Sequence, residues 1–233
     1  ATAGIAGAAA KYLGGRKTIN GHVAGYASYW DGQPSDQPEN AVRYVALGDS
    51  AAQGVGASCV TNGYVPRIGR RLAEFTGRPV AITNLSLSGA SSVDVAQTQL
   101  AALARLEFEP DLVTLDVGAN DVLFHPTRVE EFAEAMETIV QALPPGSFVS
   151  DVPWMVFPGF AASSATMAER AAELIEQHNH HLVRLHQESR SKGYRGYLSR
   201  TAADWFHPND SGYAHWADMF WRAIENSRVL EEL

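Results

Sequence analysis

The sequence predicts one α/β domain in which helices cover both faces of a parallel β-sheet. The first observation behind this fold class is that short apolar runs alternate with longer segments of helical period from Arg43 onward, a pattern typical of parallel sheets. The second is size. The chain has 233 residues, of which 45% are hydrophobic and 19% charged, enough for one sizeable domain and few for two.

The predicted strands and helices follow from the spacing of apolar residues. The five strand candidates are residues 43–47, 79–85, 111–117, 147–152 and 194–198. The clearest helix is 127–143, because its apolar residues fall on one face: Phe132, Met136, Ile139, Val140 and Leu143. The other predicted helices span 65–76, 92–106, 164–190 and 209–228. In such a sheet, reactive groups collect beyond the carboxyl ends of the strands.

The residues before the domain form a separate N-terminal arm and linker. We expect the arm and linker at 1–42 and the domain at 43–233, because residues 31–40, DGQPSDQPEN, are rich in proline and short polar residues. The first ten residues, ATAGIAGAAA, indicate either the trimmed end of a signal peptide or anchor, or the start of an Ala-rich helix. We favour the first, and with it a secreted or envelope-anchored protein over a cytoplasmic one.

Composition narrows the class of partner. The formal net charge of −8 does not suit nucleic acid, whose phosphates attract clustered Lys and Arg. No stretch has the apolar length that spans a bilayer. The single cysteine, Cys59, excludes an internal disulfide and a Cys-based metal cage. We expect Cys59 to be a small buried hydrophobe, and the sequence leaves the oligomeric state open.

Two distant segments carry groups suited to nucleophilic catalysis. Ser50 follows the first strand candidate in Gly48-Asp49-Ser50, and a serine hydroxyl needs a neighbouring base to become a good nucleophile. Asp204 and His207 stand three residues apart, so the carboxylate can hold Nδ1–H while Nε2 faces a serine. Each motif alone also fits an ordinary turn, and the flanking residues do not form the Gly-x-Ser-x-Gly elbow.

Two further strand ends carry hydrogen-bond donors. Gly89 ends the segment after the second strand candidate, and Asn120 follows the third. A glycine lets a backbone N–H approach a substrate, and an asparagine amide adds a neutral donor. Aimed at one point, such donors stabilise the oxyanion of acyl transfer.

These four motifs, taken in order, resemble the SGNH (GDSL-type) hydrolase family. Ser50, Gly89, Asn120 and His207 match its four blocks, and Asp204 matches the triad acid. The resemblance covers about residues 43–225, although Ala51 replaces the leucine of Gly-Asp-Ser-Leu.

The resemblance implies a flavodoxin-like three-layer α/β/α sandwich with a five-stranded parallel sheet. It also implies a carboxylic ester hydrolase of the esterase/lipase type, acting on esters or thioesters through an acyl-enzyme without a cofactor. Ser50, Asp204 and His207 would form the triad. The oxyanion hole would be the backbone N–H groups of Ser50 and Gly89 with the Asn120 amide.

A run of large apolar residues indicates the substrate pocket. The loop after the fourth strand candidate should emerge at the same sheet edge as Ser50, and so should the Asp–His motif. Five side chains are therefore expected to line a pocket for short to medium acyl groups: Trp154, Met155, Phe157, Phe160 and Trp205. The same residues could instead cap the core beneath the loop.

Two alternatives to a small-ester hydrolase remain open at the level of sequence. The same triad could deacetylate a carbohydrate or envelope glycan, or the domain could be a flavodoxin-like binding module with a dead site. Four histidines on the predicted helix 164–190 also invite a metal interpretation: His178, His180, His181 and His186. Because His178 and His181 project onto the apolar side, we interpret them as hydrogen-bonded boundary residues and expect no metal.

Overall fold

A computed structural model describes residues 2–34, 38–126 and 128–233 of the chain. Its sheet has five strands in the order β2-β1-β3-β4-β5, and every neighbouring pair is parallel. The strands are β1 (Val42–Gly48), β2 (Val80–Asn84), β3 (Leu112–Asp116), β4 (Phe148–Ser150) and β5 (His181–Val183). The predicted parallel sheet is confirmed.

Helices follow the strands and cover both faces of the sheet, with shorter turns between some of them. The helices are α1 (Thr2–Asp31), α2 (Ser50–Gln53), α3 (Tyr64–Thr76), α4 (Ser92–Asp94), α5 (Leu100–Leu103), α6 (Ala119–Phe124), α7 (Val129–Ala142), α8 (Pro158–Gln177), α9 (Leu185–Ser191), α10 (Gly193–Arg200), α11 (Asp210–Glu225) and α12 (Val229–Glu232). A π-helical turn, Val95–Gln99, joins α4 to α5.

The two faces of the sheet bury separate apolar clusters. On one face, β1 and β3 pack against α7 and α8, with Phe132, Met136 and Ile175 fully buried among them. On the other face, α3 and α11 supply Tyr64 and Phe220, whose rings stack at 5.0 Å. These helices therefore bury one apolar stripe each, as their periodicity predicts. The polar residues at the strand ends lie outside both apolar clusters.

The first four predicted strands are confirmed within a few residues of their ends, but the fifth is wrong. Residues 194–198 belong to α10, and the fifth strand is His181–Val183, inside the helix predicted for 164–190. Asn179 adopts a left-handed conformation, φ 59°, directly after α8 and ends that helix, as asparagine often does.

The chain then forms only three residues of edge strand before α9 begins. A strand of that length has no alternation to recognise.

The N-terminal segment is helical and contacts the domain through its last turns. Trp30 is buried and its Nε1–H donates to the Gln53 carbonyl at 3.1 Å. The Tyr26 hydroxyl donates to the Ala57 carbonyl at 2.8 Å. The linker predicted for 31–40 lies partly outside the described residues, at 35–37. Among the helices of the described ranges, none combines the length and apolarity that a membrane crossing needs.

Cys59 departs from its prediction. It is exposed, and its Sγ lies 3.2 Å from Thr61 Oγ1. The reason is that Ser58 and Asn62 are tied to Asp210 at the surface, while Val60 is the residue of this loop that enters the apolar cluster, so Cys59 is left outside it.

Candidate active site

Ser50 is the first residue of α2, immediately beyond the buried strand β1. Gly48 makes the turn possible, since its φ is 136° and a Cβ there would collide with the Asp116 carbonyl. The Asp49 side chain caps α2 by accepting the Ala51 N–H at 2.8 Å. Because Ser50 opens the helix, its own N–H has no acceptor within the helix. The strand end thus presents a hydroxyl and a backbone donor together.

The Asp–His motif approaches Ser50 from the loop before α11. His207 Nδ1 lies 2.6 Å from Asp204 Oδ2, and His207 Nε2 lies 2.9 Å from Ser50 Oγ. Asp204 Oδ1 also accepts the backbone N–H groups of Phe206 and His207, each at 3.1 Å. Burial acts to raise the pKa of Asp204, but the hydrogen bonds from His207 and the backbone outweigh it and lower that pKa. An ionised Asp204 fixes the proton on Nδ1 and leaves the Nε2 lone pair for Ser50.

Contacts between residues far apart in sequence hold the loop after Ser50 against the loop that carries Asp204 and His207. Gly56 has φ 102°, and a Cβ there would lie 2.7 Å from the His207 Cβ. Asp210 accepts the Ser58 N–H at 2.7 Å, and the Tyr213 hydroxyl donates to the Val55 carbonyl at 2.5 Å. The loop after Ser50 is therefore fastened to the start of α11.

The two predicted oxyanion donors lie at neighbouring strand ends. Asn120 is buried in the first turn of α6, and its Nδ2 donates to the Ala90 carbonyl at 2.9 Å and to Asp49 Oδ2 at 3.2 Å. Gly89 sits in an exposed turn with φ 86°, and its N–H has no acceptor among the described residues. Asn120 therefore links the other two strand-end motifs, because its amide bonds to Asp49, the neighbour of Ser50, and to Ala90, the neighbour of Gly89.

Buried carboxyl groups underlie this edge of the sheet. Burial, followed by the nearby Asp116, raises the pKa of Asp49 well above its ordinary value. Burial likewise raises the pKa of Asp116 to about 7, although Ser150 donates to it at 2.7 Å. Asp151 is 4% exposed, and burial raises its pKa to about 7. The site therefore contains carboxyl groups whose charged form the fold disfavours.

A cleft opens beside Ser50 and His207. Trp154 and Met155 line it, as the sequence predicts. The other three predicted lining residues do not. Phe157 lies outside the cleft, edge-on to Tyr197 at 6.3 Å, and Phe160 packs against the core.

Trp205 is the last of these three. It is 42% exposed, with φ 57°, on the outside of the Asp–His loop. Spacing along the sequence does not reveal this left-handed backbone conformation.

Sequence reasoning missed the opposite wall of the cleft, which comes from α9, α10 and α11. Its apolar members are Tyr197 and Trp216, with Phe206 from the Asp–His loop. A helical spacing could have found part of it, because Gly193, Gly196, Tyr197 and Arg200 fall at i, i+3, i+4 and i+7. The strand interpretation of 194–198 concealed that face.

The four histidines of the predicted helix have separate partners. His178 Nε2 lies 2.9 Å from Glu137 Oε1, and His180 Nε2 lies 2.7 Å from the Val140 carbonyl. His181 stacks on Phe148 with ring centroids 4.6 Å apart, and His186 Nδ1 lies 3.1 Å from the Val152 carbonyl. In the part of the chain that the structure describes, no group of three His, Cys, Asp or Glu residues is arranged to hold a metal.

Comparisons with known proteins give one family and one fold. The model of the GDSL-like lipase/acylhydrolase family matches residues 46–215. No curated protein matches the chain.

Several solved structures share the fold at low identity. TesA is 20% identical, with a TM-score of 0.64 over 78% of this chain and 98% of that one. The psychrotrophic esterase EstA from Pseudoalteromonas sp. is 22% identical, with a TM-score of 0.61 over 79% and 97%. The acetylxylan esterase Axe2 from Geobacillus stearothermophilus is 17% identical, with a TM-score of 0.61 over 79% and 94%. At these identities the likeness establishes the fold.

Proposed function

The chain belongs to the GDSL-like lipase/acylhydrolase family and is a carboxylic ester hydrolase, and on that premise we propose that Ser50, His207 and Asp204 are its catalytic triad. The observation that carries the proposal is that His207 bridges the other two, at 2.9 and 2.6 Å, beside the cleft. This arrangement supplies a nucleophile, its base and the group that orients the base.

The reaction follows from the positions of the protons. As Ser50 Oγ attacks the ester carbon, its proton passes to His207 Nε2, and the Asp204 carboxylate stabilises the imidazolium. His207 then gives that proton to the departing alcohol oxygen as the carbon–oxygen bond breaks, leaving an acyl group on Ser50. A water molecule attacks the acyl carbon by the same route in reverse, which releases the acid and restores the Ser50 hydroxyl.

The negative charge on the former carbonyl oxygen needs donors. We assign that task to the N–H groups of Ser50 and Gly89 and to Asn120 Nδ2. Asn120 would exchange its longer hydrogen bond, the 3.2 Å contact with Asp49 Oδ2, for one to the oxyanion. The shorter bond, at 2.9 Å to the Ala90 carbonyl, would keep the amide in place during the exchange.

The cleft supports an ester whose cleft-bound part is apolar and short to medium in length. Trp154, Met155, Tyr197, Phe206 and Trp216 bring large apolar surfaces to its wall, and such surfaces reward apolar groups. Axe2, which shares the fold, is an acetylxylan esterase, so an acetylated glycan is the second candidate. The aromatic wall favours the first.

The test compares the two substrate classes on one enzyme preparation. We expect p-nitrophenyl butyrate to be hydrolysed with a higher kcat/KM than acetylated xylo-oligosaccharide, with the Ser50→Ala variant giving the background for both. A higher kcat/KM on the acetylated sugar would make an acetylated glycan the proposed substrate class and would leave the triad assignment unchanged. Equal rates in wild type and Ser50→Ala would refute the triad.

A further inference from the structure

The end of the cleft formed by α9–α11 carries basic side chains in an otherwise aromatic wall. Lys192 follows α9, Arg200 ends α10 and His215 lies in α11, and all three line the cleft that holds Ser50 and His207. Burial first, and then the charges of Arg200 and Lys192, lower the pKa of His215. The three side chains therefore share this end of the cleft, and each carries an N–H that can donate a hydrogen bond.

Glu188, the acidic residue of this region, does not balance the positive charges of both Lys192 and Arg200. Glu188 lies 3.4 Å from Lys192 Nζ and 3.6 Å from His215 Nε2, so it offsets the charge of Lys192, which is exposed to solvent. Arg200 forms no ion pair with any described residue. One positive charge consequently remains without a partner at this end of the cleft.

Several donors at the same place lack acceptors. The buried atoms Arg200 Nε and Thr201 Oγ1 have no hydrogen-bond partner among the described residues. His215 Nε2 also forms no hydrogen bond there, although the Glu188 carboxylate lies 3.6 Å away. Arg200 is only partly buried, but its buried Nε–H without an acceptor is costly, and a buried hydroxyl without one is costly to a lesser degree. Such a group of donors is expected where a bound anion supplies the missing acceptors.

Arg200 is also held in register with the catalytic loop. The Asn209 N–H donates to the Arg200 carbonyl at 2.9 Å, and the Ala202 N–H donates to the His207 carbonyl at 2.7 Å. These bonds pair the chain around Arg200 antiparallel with the chain around His207. The backbone of Arg200 is therefore held in a fixed position relative to the backbone of His207.

We propose that this end of the cleft binds a carboxylate at the far end of the ester, with Arg200 as the principal ligand and Thr201 and His215 as further donors. The inference rests on the proposed function and narrows it: the cleft-bound part of the substrate is an apolar chain that ends in a monoanion. A monoanion matches the single unbalanced charge of Arg200, and a carboxylate fits the planar guanidinium in a bidentate manner.

Kinetics with matched esters test the proposal. One series compares p-nitrophenyl monoesters of glutarate, adipate and suberate with the pentanoate, hexanoate and octanoate esters. A second series places the carboxylate on the alcohol, comparing acetate esters of ω-hydroxy acids with those of neutral alcohols of equal length. We expect wild type to prefer the charged member in one series, by about tenfold or more, as a hydrogen bond to a charged group predicts.

Variants assign the preference to Arg200. Arg200→Met should abolish the preference, measured within each variant as the ratio of kcat/KM on the charged ester to kcat/KM on its neutral partner, and Arg200→Lys should retain part of it. Arg195→Met is the matched control, because Arg195 is exposed on the same helix outside the cleft. That variant should keep the preference in full. A loss of preference in Arg195→Met equal to that in Arg200→Met would reduce the effect to general charge and overturn the proposal.

A binding measurement separates this proposal from the catalytic one. In the Ser50→Ala protein, quenching of Trp154 and Trp216 fluorescence should report tighter binding of adipate monoethyl ester than of ethyl hexanoate. Wild type without a charge preference in either series, together with equal binding of both esters, would overturn the carboxylate site and leave the esterase intact. Charge-selective binding with no Ser50-dependent hydrolysis would instead refute the triad and preserve the site.

Discussion

Asp151 makes the stability of the protein depend on pH in a direction opposite to that of most carboxylates. Burial raises the pKa of Asp151 to about 7 from an ordinary value of 3.8. Between these values the folded state binds a proton that the unfolded state has released, so the unfolding free energy falls as pH rises. Below 3.8 both states are protonated, and above about 7 the loss is complete.

The magnitude follows from the two pKa values. The full span corresponds to about 4 kcal/mol, and between about pH 5 and about pH 8 this residue removes about 2 to 3 kcal/mol. Asp151→Asn keeps an oxygen to accept the His186 N–H, now at 2.7 Å, and removes the charge. Between about pH 5 and about pH 8, the unfolding free energy of the variant should therefore fall by about 2 to 3 kcal/mol less than that of wild type.

Urea denaturation at the two pH values measures this difference, and any constant effect of the substitution cancels. Glu173→Gln is the control, because its carboxylate is 54% exposed and pairs with Arg170 at the surface. It should not alter the pH dependence by more than a few tenths of a kcal/mol. If Asp151→Asn and wild type lose equal stability between the two pH values, Asp151 is ionised in the folded protein and the reasoning fails.

Three substitutions test the site itself. Asp204→Asn, which removes the acceptor that fixes Nδ1–H, should lower kcat by about a thousandfold or more; an unchanged rate would mean that another acceptor orients His207. Asn120→Ala should lower kcat by about a hundredfold to a thousandfold with little change in KM, whereas a pure KM effect would make the amide a substrate-positioning group. Trp154→Ala should raise kcat/KM for each added acyl methylene by up to about fourfold relative to wild type. Phe157→Ala, outside the cleft, is its control, and identical chain-length profiles for the two variants would remove Trp154 from the pocket.

The strand ends were predictable because each buried strand shows as an apolar run in the sequence, and the polar residues of the site follow directly after such runs. The buried strand β1 contains an apolar run at 44–47, and parallel strands bring their carboxyl ends to one edge. Ser50, Gly89 and Asn120 could therefore be placed together from sequence. Short-range spacing likewise places Asp204 beside His207.

The far wall of the cleft was not predictable from the same signals. β5 is three residues long and pairs only with β4, so its position depends on the sheet and not on its own pattern. Once 194–198 was interpreted as a strand, the cleft-facing side of α10 was lost. Arg200 illustrates the consequence, because only the folded chain shows that it lines the same cleft as Ser50.

Two further features of the site, the position of Trp205 and the need for Gly56, depend on the backbone conformation of a single residue. Trp205 lies within the Asp–His motif, yet its left-handed φ of 57° turns it to the outside. Gly56, which carries no chemistry of its own, is needed because a side chain would collide with the His207 loop. Contacts of this kind join residues about 150 positions apart, beyond the reach of any local period.

The most direct test of the central claim is covalent labelling of Ser50. A fluorophosphonate reacts with a serine whose proton a neighbouring base removes, and intact mass followed by peptide mapping locates the adduct. We predict one adduct on Ser50 in folded wild type, slower labelling in His207→Ala, and none in Ser50→Ala. Labelling that persists in Ser50→Ala, or a folded wild-type protein that takes up no label, would contradict the assignment of Ser50 as the nucleophile.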